Sequence, residues 1–237
     1  MYTLHMVGAF VRLLVLTAFL LNLSAQSRTP VLVELFTSEG CSSCPPADRM
    51  LEQLDSKVIV LSEHVTYWNQ GGWKDPFSSA EMTARQAVYG RIFTLESVYT
   101  PEMVVDGETQ FNGSDARKAT EALQKAAQKK KADVKIGRSE GGLRIEVENA
   151  PASAPVYLAL AEDSGASEVA AGENQGRHLH HVAVVRSIQK IGAVKRGVPF
   201  TKVMELPRAT NSQRIVVFVQ ESGQGRVSGV AMLPPAS

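Results

Sequence analysis

The chain has 237 residues, 25 Lys and Arg against 24 Asp and Glu, a formal net charge of +1, and only two cysteines. Its cations are spread along the sequence, so no basic stripe argues for a nucleic-acid partner. The length suits one large domain or two small ones, and no repeat with a period of roughly 20–50 residues is present.

Residues 1–12 carry His5 and Arg12 and no acid, 13–21 are apolar and uncharged, and Ser24, Ala25 and Ser27 are small. That is the layout of a secretory signal peptide. A spanning helix needs about 20 apolar residues, and Arg12 cuts this run short. Residues 1–27 are therefore expected to be a leader cleaved near Ala25 or Ser27. The mature chain is expected to be soluble, without a stable membrane anchor, and secreted or periplasmic. Disulfides form in such a space.

From residue 28 to 131 strand and helix signals alternate. Residues 31–36 are short, apolar and β-prone, as a buried parallel strand is. Residues 47–54 follow as a short helix with Met50, Leu51 and Leu54 on one face. Residues 58–61 make a second buried strand. Ser78 with Glu81 reads as a capping box, and Ala84, Val88, Ile92 and Leu95 share one face of the helix behind it. Residues 103–105 are a third strand, ended by the Asp106-Gly107 turn signal. Ser114 then caps a helix with Ala116, Ala119, Leu123, Ala126 and Ala127 as its apolar stripe, closed by Lys129-Lys130-Lys131, where cations suit the helix dipole. Alternation of this kind predicts a mostly parallel or mixed sheet with helices packed on it.

The remainder looks different. Residues 134–136, 143–147, 156–160, 181–185, 203–206, 215–219 and 227–232 all read as strands, separated by Gly141-Gly142, Pro151, Gly172, Gly197, Gly223 and Gly225. Short strands with regular turn signals predict an all-β sandwich. The boundary is expected between Lys130 and Val134, giving units 28–131 and 132–237.

Cys41 and Cys44 lie straight after the first strand, in Glu34-Leu35-Phe36-Thr37-Ser38-Glu39-Gly40-Cys41-Ser42-Ser43-Cys44-Pro45-Pro46. Three readings compete. As a staple the pair is weak: chain entropy gives roughly 2 kcal/mol for so short a loop against about 4.7 for a 100-residue one. As a metal site it needs further ligands, from His64 or from His178, His180 and His181. A two-Cys, one-His copper site is one version of this. With no acid or cysteine near them in sequence, the three later histidines read more simply as a polar strand edge. As a redox dithiol the pair sits at a helix N-terminus, where partial positive charge and free N–H groups favour a thiolate. Its spacing allows a disulfide. Cys41, nearer the helix tip, is then the exposed nucleophile and Cys44 the resolving thiol. Pro45 and Pro46 fit only in the first helical turn. Strand, short loop, C-x-x-C and helix in that order is a strong redox signal.

These residues resemble the active-site region of the thioredoxin-like superfamily. The resemblance implies a buried acid on the preceding strand, and Glu34 is the candidate, as proton acceptor for Cys44, although its loop to Cys41 is one residue longer. It also implies a cis-proline opposite the dithiol. Val98-Tyr99-Thr100-Pro101-Glu102-Met103-Val104-Val105 is similar, which gives Thr100 a backbone edge for peptide docking and Pro101 a part in keeping metal off the sulfurs. The blocks ELFTSEGCSSCPPAD, HVTYWNQGGWKDPF, RQAVYG, VYTPEMVVDG, GSDA and GENQGR, in this order, are similar to the secreted bacterial family catalogued as domain of unknown function 1223. That resemblance implies a thioredoxin-like fold with a β-rich extension and implies no activity.

In such a sheet His64, just past the second strand, lies near the dithiol, where a histidine tunes the thiolate or takes its proton. A polar strand-end residue is the plainer alternative. Tyr67, Trp68 and Trp73 belong to a Gly-rich aromatic loop that reads either as a partner wall or as an insertion packed on the β extension. Glu173, Asn174 and Arg177, in Gly172-Glu173-Asn174-Gln175-Gly176-Arg177, read as a tight turn with an internal salt link, or as a polar network reaching the loops of the first unit. No haem, flavin or nucleotide fingerprint appears, so no cofactor is expected. The leading expectation is thiol–disulfide exchange with a protein or small-thiol partner. The alternatives are a metal or copper chaperone using Cys41, Cys44 and His64, and a non-catalytic scaffold with a permanent disulfide.

Overall fold

The structure is a computed structural model that describes residues 29–140, 142–205 and 212–235. The expected leader, Gly141 and Leu206 lie outside them. Among the described residues no helix is long and apolar enough to cross a membrane.

The first strand, β1 (Thr29–Thr37), is followed by α1 (Pro45–Asp55), β2 (Val58–His64), a short 3-10 helix (Tyr67–Gly71), α2 (Ala80–Ile92), β3 (Glu102–Val105), β4 (Thr109–Asn112) and α3 (Ala116–Ala127). Successive side chains of β1 point to opposite faces, as the pleat requires. Val31, Val33 and Leu35 join Ala47 and Leu51 of α1 and Ala119, Ala122 and Ala126 of α3. Leu32 and Phe36 point the other way, toward α2, where they meet Met82 and Tyr89.

Two helix starts differ from expectation by one residue. Ser79, not Ser78, caps α2 by accepting from Met82 N, while Glu81 accepts from Ile188 N at 3.1 Å instead of closing a capping box. Asp115, not Ser114, caps α3 by accepting from Lys118 N. In α2 the buried face is Met82, Arg85, Gln86, Tyr89 and Gly90, while Ala84 and Ile92 are exposed. The apolar stripe read from sequence therefore lies on the wrong side. The buried side is polar because the sheet beneath it presents Glu34, Glu63 and Glu102.

The later strands are β5 (Asp133–Ser139), β6 (Gly142–Glu148), β7 (Ala154–Glu168), β8 (His178–Val194), β9 (Phe200–Met204), β10 (Gln213–Gln220) and β11 (Val227–Leu233). They enter two sheets. One has eight strands in the order β11-β10-β7-β8-β2-β1-β3-β4, and the other has the order β5-β6-β9. β1 and β2 are parallel, β3 and β4 are antiparallel additions, and β8 joins β2 in parallel at Ser62 and Val184. The large sheet thus draws strands from both halves of the chain. The small sheet packs Leu143, Ile145 and Val147 on Val156, Leu158, Ile215, Val217 and Val219 of the large one. The architecture is mixed α/β, with one large mixed sheet and few helices.

β7 and β8 are far longer than their apolar centres. Pairing of β10 with β7 ends at Glu162, but β7 and β8 stay paired out to Glu168 and His178. This two-stranded ribbon runs beside the start of α1, where Pro45, Asp48, Arg49 and Glu52 face His178, Leu179 and His180 across a cavity of about 350 Å³. The ribbon brings the second half of the chain to the cysteines.

Candidate dithiol site

The loop after β1 turns back on itself: Cys41 N donates to Ser38 O and Cys44 N to Cys41 O, both at 3.1 Å. Cys44 is the N-cap of α1, and its carbonyl accepts from Ala47 N and Asp48 N. Pro45 and Pro46 occupy the first turn, where no N–H is missed. Cys41 and Cys44 are joined in a disulfide with a Cα–Cα distance of 5.4 Å. Ser42 and Ser43 between them are exposed, but both cysteines are fully buried. The expected exposure of Cys41 is therefore absent in this oxidised form.

Around this turn lies a buried polar cluster. His64, the last residue of β2, sits in register with Thr37. Its Nδ1 is 2.7 Å from Asp75 Oδ2. A carboxylate only accepts, so Nδ1 carries a hydrogen toward Asp75, which leaves Nε2 as the other polar position of the ring. That Nε2 is buried without a partner. Asp75 also accepts from Glu39 N and Phe77 N at 3.0 and 2.8 Å. Burial opposes its charge, but His64 and those N–H groups hold its pKa below the ordinary value.

The second histidine is His181, on the β8 side of the ribbon. Its ring meets that of His64 edge-on at 4.5 Å and that of Phe77 at 5.5 Å. Its Nε2 lies 3.4 Å from Glu39 Oε1 and its Nδ1 3.7 Å from Asp48 Oδ1. Burial disfavours the imidazolium, yet the two carboxylates outweigh it and push the pKa up to about 9. Glu39 is lowered: burial opposes its charge, but His181, Ser167 and Trp73 hydrogen-bond to it. Asp48 accepts from Thr37 Oγ1 at 2.9 Å. Both cysteines thus lie in a segment whose two flanking acids, Glu39 and Asp48, converge on one histidine from the far half of the chain.

The aromatic loop forms another wall. Trp68 packs on Gly40, where an added Cβ would come 3.0 Å from Trp68 Cβ, and its Nε1 donates to Thr100 Oγ1 at 2.7 Å. Trp73 Nε1 donates to Glu39 Oε2 at 2.8 Å. The Thr100–Pro101 peptide is cis. Pro101 lies close to α1, because a Cβ at Gly113 would meet Leu35, Ala47 and Pro101 together. Gly172-Glu173-Asn174-Gln175-Gly176-Arg177 reaches the same place: Asn174 Nδ2 donates to Glu39 O and Cys41 O at 2.8 and 2.9 Å, and Glu173 accepts from Ser42 N at 3.1 Å. Of the two sequence readings of this segment, the polar network to the first half is the one present.

Glu34 is elsewhere. It points to the α2 face, accepting from Arg85 Nε at 2.6 Å and from Tyr89 Oη at 2.6 Å. α1 packs on the opposite face, with Val33 and Leu35. The implied role as proton acceptor for Cys44 is corrected accordingly. Near Glu34, burial and the Glu34 charge raise Glu63 well above the ordinary value, and burial lifts Glu102 to about 7. Of the predicted residues, then, Cys41, Cys44, His64, Thr100 and Pro101 gather around one loop. Asn174, read as part of a polar network, and His181, weighed as a metal ligand, join them, and Glu39, Asp48 and Asp75 join them unpredicted. Among the described residues no group of three or more His, Cys, Asp and Glu side chains is arranged to hold a metal ion.

This fold and site define a mixed-sheet α/β protein with a C-x-x-C disulfide at a helix start. The family model described as "Protein of unknown function (DUF1223)" matches residues 32–220, and the chain belongs to that family. It is similar to the crystal structure of protein AGR_C_4864 from Agrobacterium tumefaciens, at 27% identity and a TM-score of 0.77, covering 90% of this chain and 97% of that one. No curated protein matches it.

Proposed function

We propose that the protein is an exported, thioredoxin-like thiol–disulfide oxidoreductase acting through Cys41 and Cys44. The observation that carries this reading is the disulfide at the start of α1, in a loop tied through Glu39 N and Asp75 to the buried His64. In the reduced form, the Cys41 thiolate attacks a partner disulfide. One partner sulfur bonds to Cys41, and the other leaves as a thiolate and takes a proton. Cys44 then loses its proton to His64 Nε2 and attacks the Cys41 sulfur, closing the Cys41–Cys44 bond and releasing the second partner thiol. The net change is one dithiol oxidised and one disulfide reduced. Run backwards, the pair oxidises a partner. The helix N-terminus favours the Cys41 thiolate, and Trp68, packed on Gly40, donates to Thr100 of the cis Thr100–Pro101 peptide.

Expected results are loss of exchange in Cys41→Ser and capture of mixed disulfides by Cys44→Ser, read on a non-reducing gel. Absence of any captured partner with Cys44→Ser would count against the mechanism. The full burial of both cysteines favours a second reading, a scaffold with a permanently shut disulfide. On that reading Cys41→Ser costs a little stability and no function.

A further inference from the structure

A disulfide with no exposed surface is closed to an external thiolate, since exchange needs in-line access to a sulfur. Most of the surrounding wall is built into the cores: α1, β1 and β2 share one cluster of buried apolar residues, and Trp68 is wedged on Gly40. The exception is the loop joining β7 to β8. Its neck is pinched by Val169 N to Arg177 O and Gly176 N to Val169 O, at 3.0 and 2.8 Å. Above the neck Gly172 and Gly176 take positive φ values of 81° and 78°. Glu173, Gln175 and Gly176 are exposed. Asn174 alone points inward, 1% exposed, with Oδ1 buried and unpartnered. Its two donated bonds flank Cys41, and Glu173 takes the N–H of Ser42.

We propose that 169–177 is a lid over Cys41 that an extended polypeptide displaces. The proposal rests on the exchange reading and deepens it by naming the partner class. When the lid lifts, Glu39 O and Cys41 O lose a donor and Ser42 N loses an acceptor. Ser42 is exposed and its N–H can turn to water, but Glu39 O and Cys41 O are bonded in buried surroundings, where backbone groups must be paired. An extended chain carries N–H and C=O groups at the spacing needed to replace both kinds of bond. A small dithiol such as dithiothreitol has hydroxyls but no backbone that holds donors and acceptors at this spacing. The lid is a resident stand-in for the partner backbone, holding the site shut until a chain supplies the same contacts.

The test is the rate at which the oxidised protein is reduced by dithiothreitol and by an unstructured peptide bearing a C-x-x-C dithiol, compared per thiolate. Wild type should react faster with the peptide by about tenfold, the scale of one to two hydrogen bonds regained. Asn174→Ala and Asn174→Asp should each speed the dithiothreitol reaction by about tenfold, on the same ground. Gln175→Ala, on the exposed side of the loop, should leave both rates alone. Equal wild-type rates for the two reductants would overturn the polypeptide assignment. Wild-type dithiothreitol rates in both Asn174 variants would overturn the lid. If the Asn174 variants open to dithiothreitol and no form passes a disulfide to any protein, the lid stands and the exchange function falls.

Discussion

His181 holds a proton in a place that would expel one but for Glu39 and Asp48. Its pKa is raised from an ordinary 6.5 to about 9, so the sign of its linkage is fixed. The stability it contributes is fully present below about pH 6.5 and is lost as pH rises through about 9. Glu39, lowered, contributes in the opposite sense: its share is present above its ordinary value and is lost as pH falls through the depressed one. The expected outcome is that the melting temperature of wild type falls relative to His181→Gln as pH rises from about 6.5 to about 9. NMR titration of the His181 ring checks the pKa directly, and an ordinary value near 6.5 would remove this account. At this scale the sequence showed what is local. The Cys41–Cys44 disulfide is legible because the spacing of the pair allows it, and the cis Thr100–Pro101 bond was implied by the family resemblance. Glu34 was misread for a reason of parity. With side chains alternating along β1, one extra residue in the loop moves the expected acid to the far face. His181 and Asp75 reach the site through tertiary contacts, which no local pattern carries, whereas the network of Asn174 was one of two readings of its turn.

Among the elements, α2 is the most informative. Its stripe of Ala84, Val88 and Ile92 obeys the rule for an amphipathic helix, yet the helix turns Arg85, Gln86 and Tyr89 inward. The cause is the load of acids on that face of the sheet. Arg85 pairs with Glu34 at 8% and 0% exposure, and lies 3.5 Å from Glu63. Removing one member of such a pair leaves a buried charge uncompensated, so Arg85→Met should cost about 3–5 kcal/mol, measured by urea unfolding. The cap offers a smaller test. Ser79→Ala should cost about 1 kcal/mol, whereas Ser114→Ala should not remove the α3 cap, which belongs to Asp115. The helices and strands read from the sequence occur in the expected order, but β4, with Phe111 as its one buried residue, went unread. Caps slipped by one residue because adjacent Ser78-Ser79 and Ser114-Asp115 are both chemically competent.

At the scale of the whole molecule, the pairing of β8 with β2 decides most. Six of the seven strand signals after residue 132 fall wholly in strands, and the seventh, 203–206, overlaps β9 at Val203 and Met204. Their distribution between two sheets was not legible, since strand order is a matter of long-range register. The outer ends of β7 and β8 carry Ser164, Gly165 and Ser167, too polar to announce a strand, and those ends bring His181 and the lid to the dithiol. The shared sheet leads to the expectation of one cooperative thermal transition for the protein. Residues 28–131 alone, with the β2 edge and Leu61 uncovered, should not give a dispersed NMR spectrum. Two separate transitions would contradict that coupling.

The central claim is that Cys41 and Cys44 cycle. The direct test is the equilibrium of this pair in glutathione redox buffers, followed by alkylation and mass measurement. The account predicts a midpoint between about −120 and −270 mV, the range spanned by exchange proteins. A midpoint below about −300 mV, typical of structural disulfides, would mean a bond that stays shut and would contradict it.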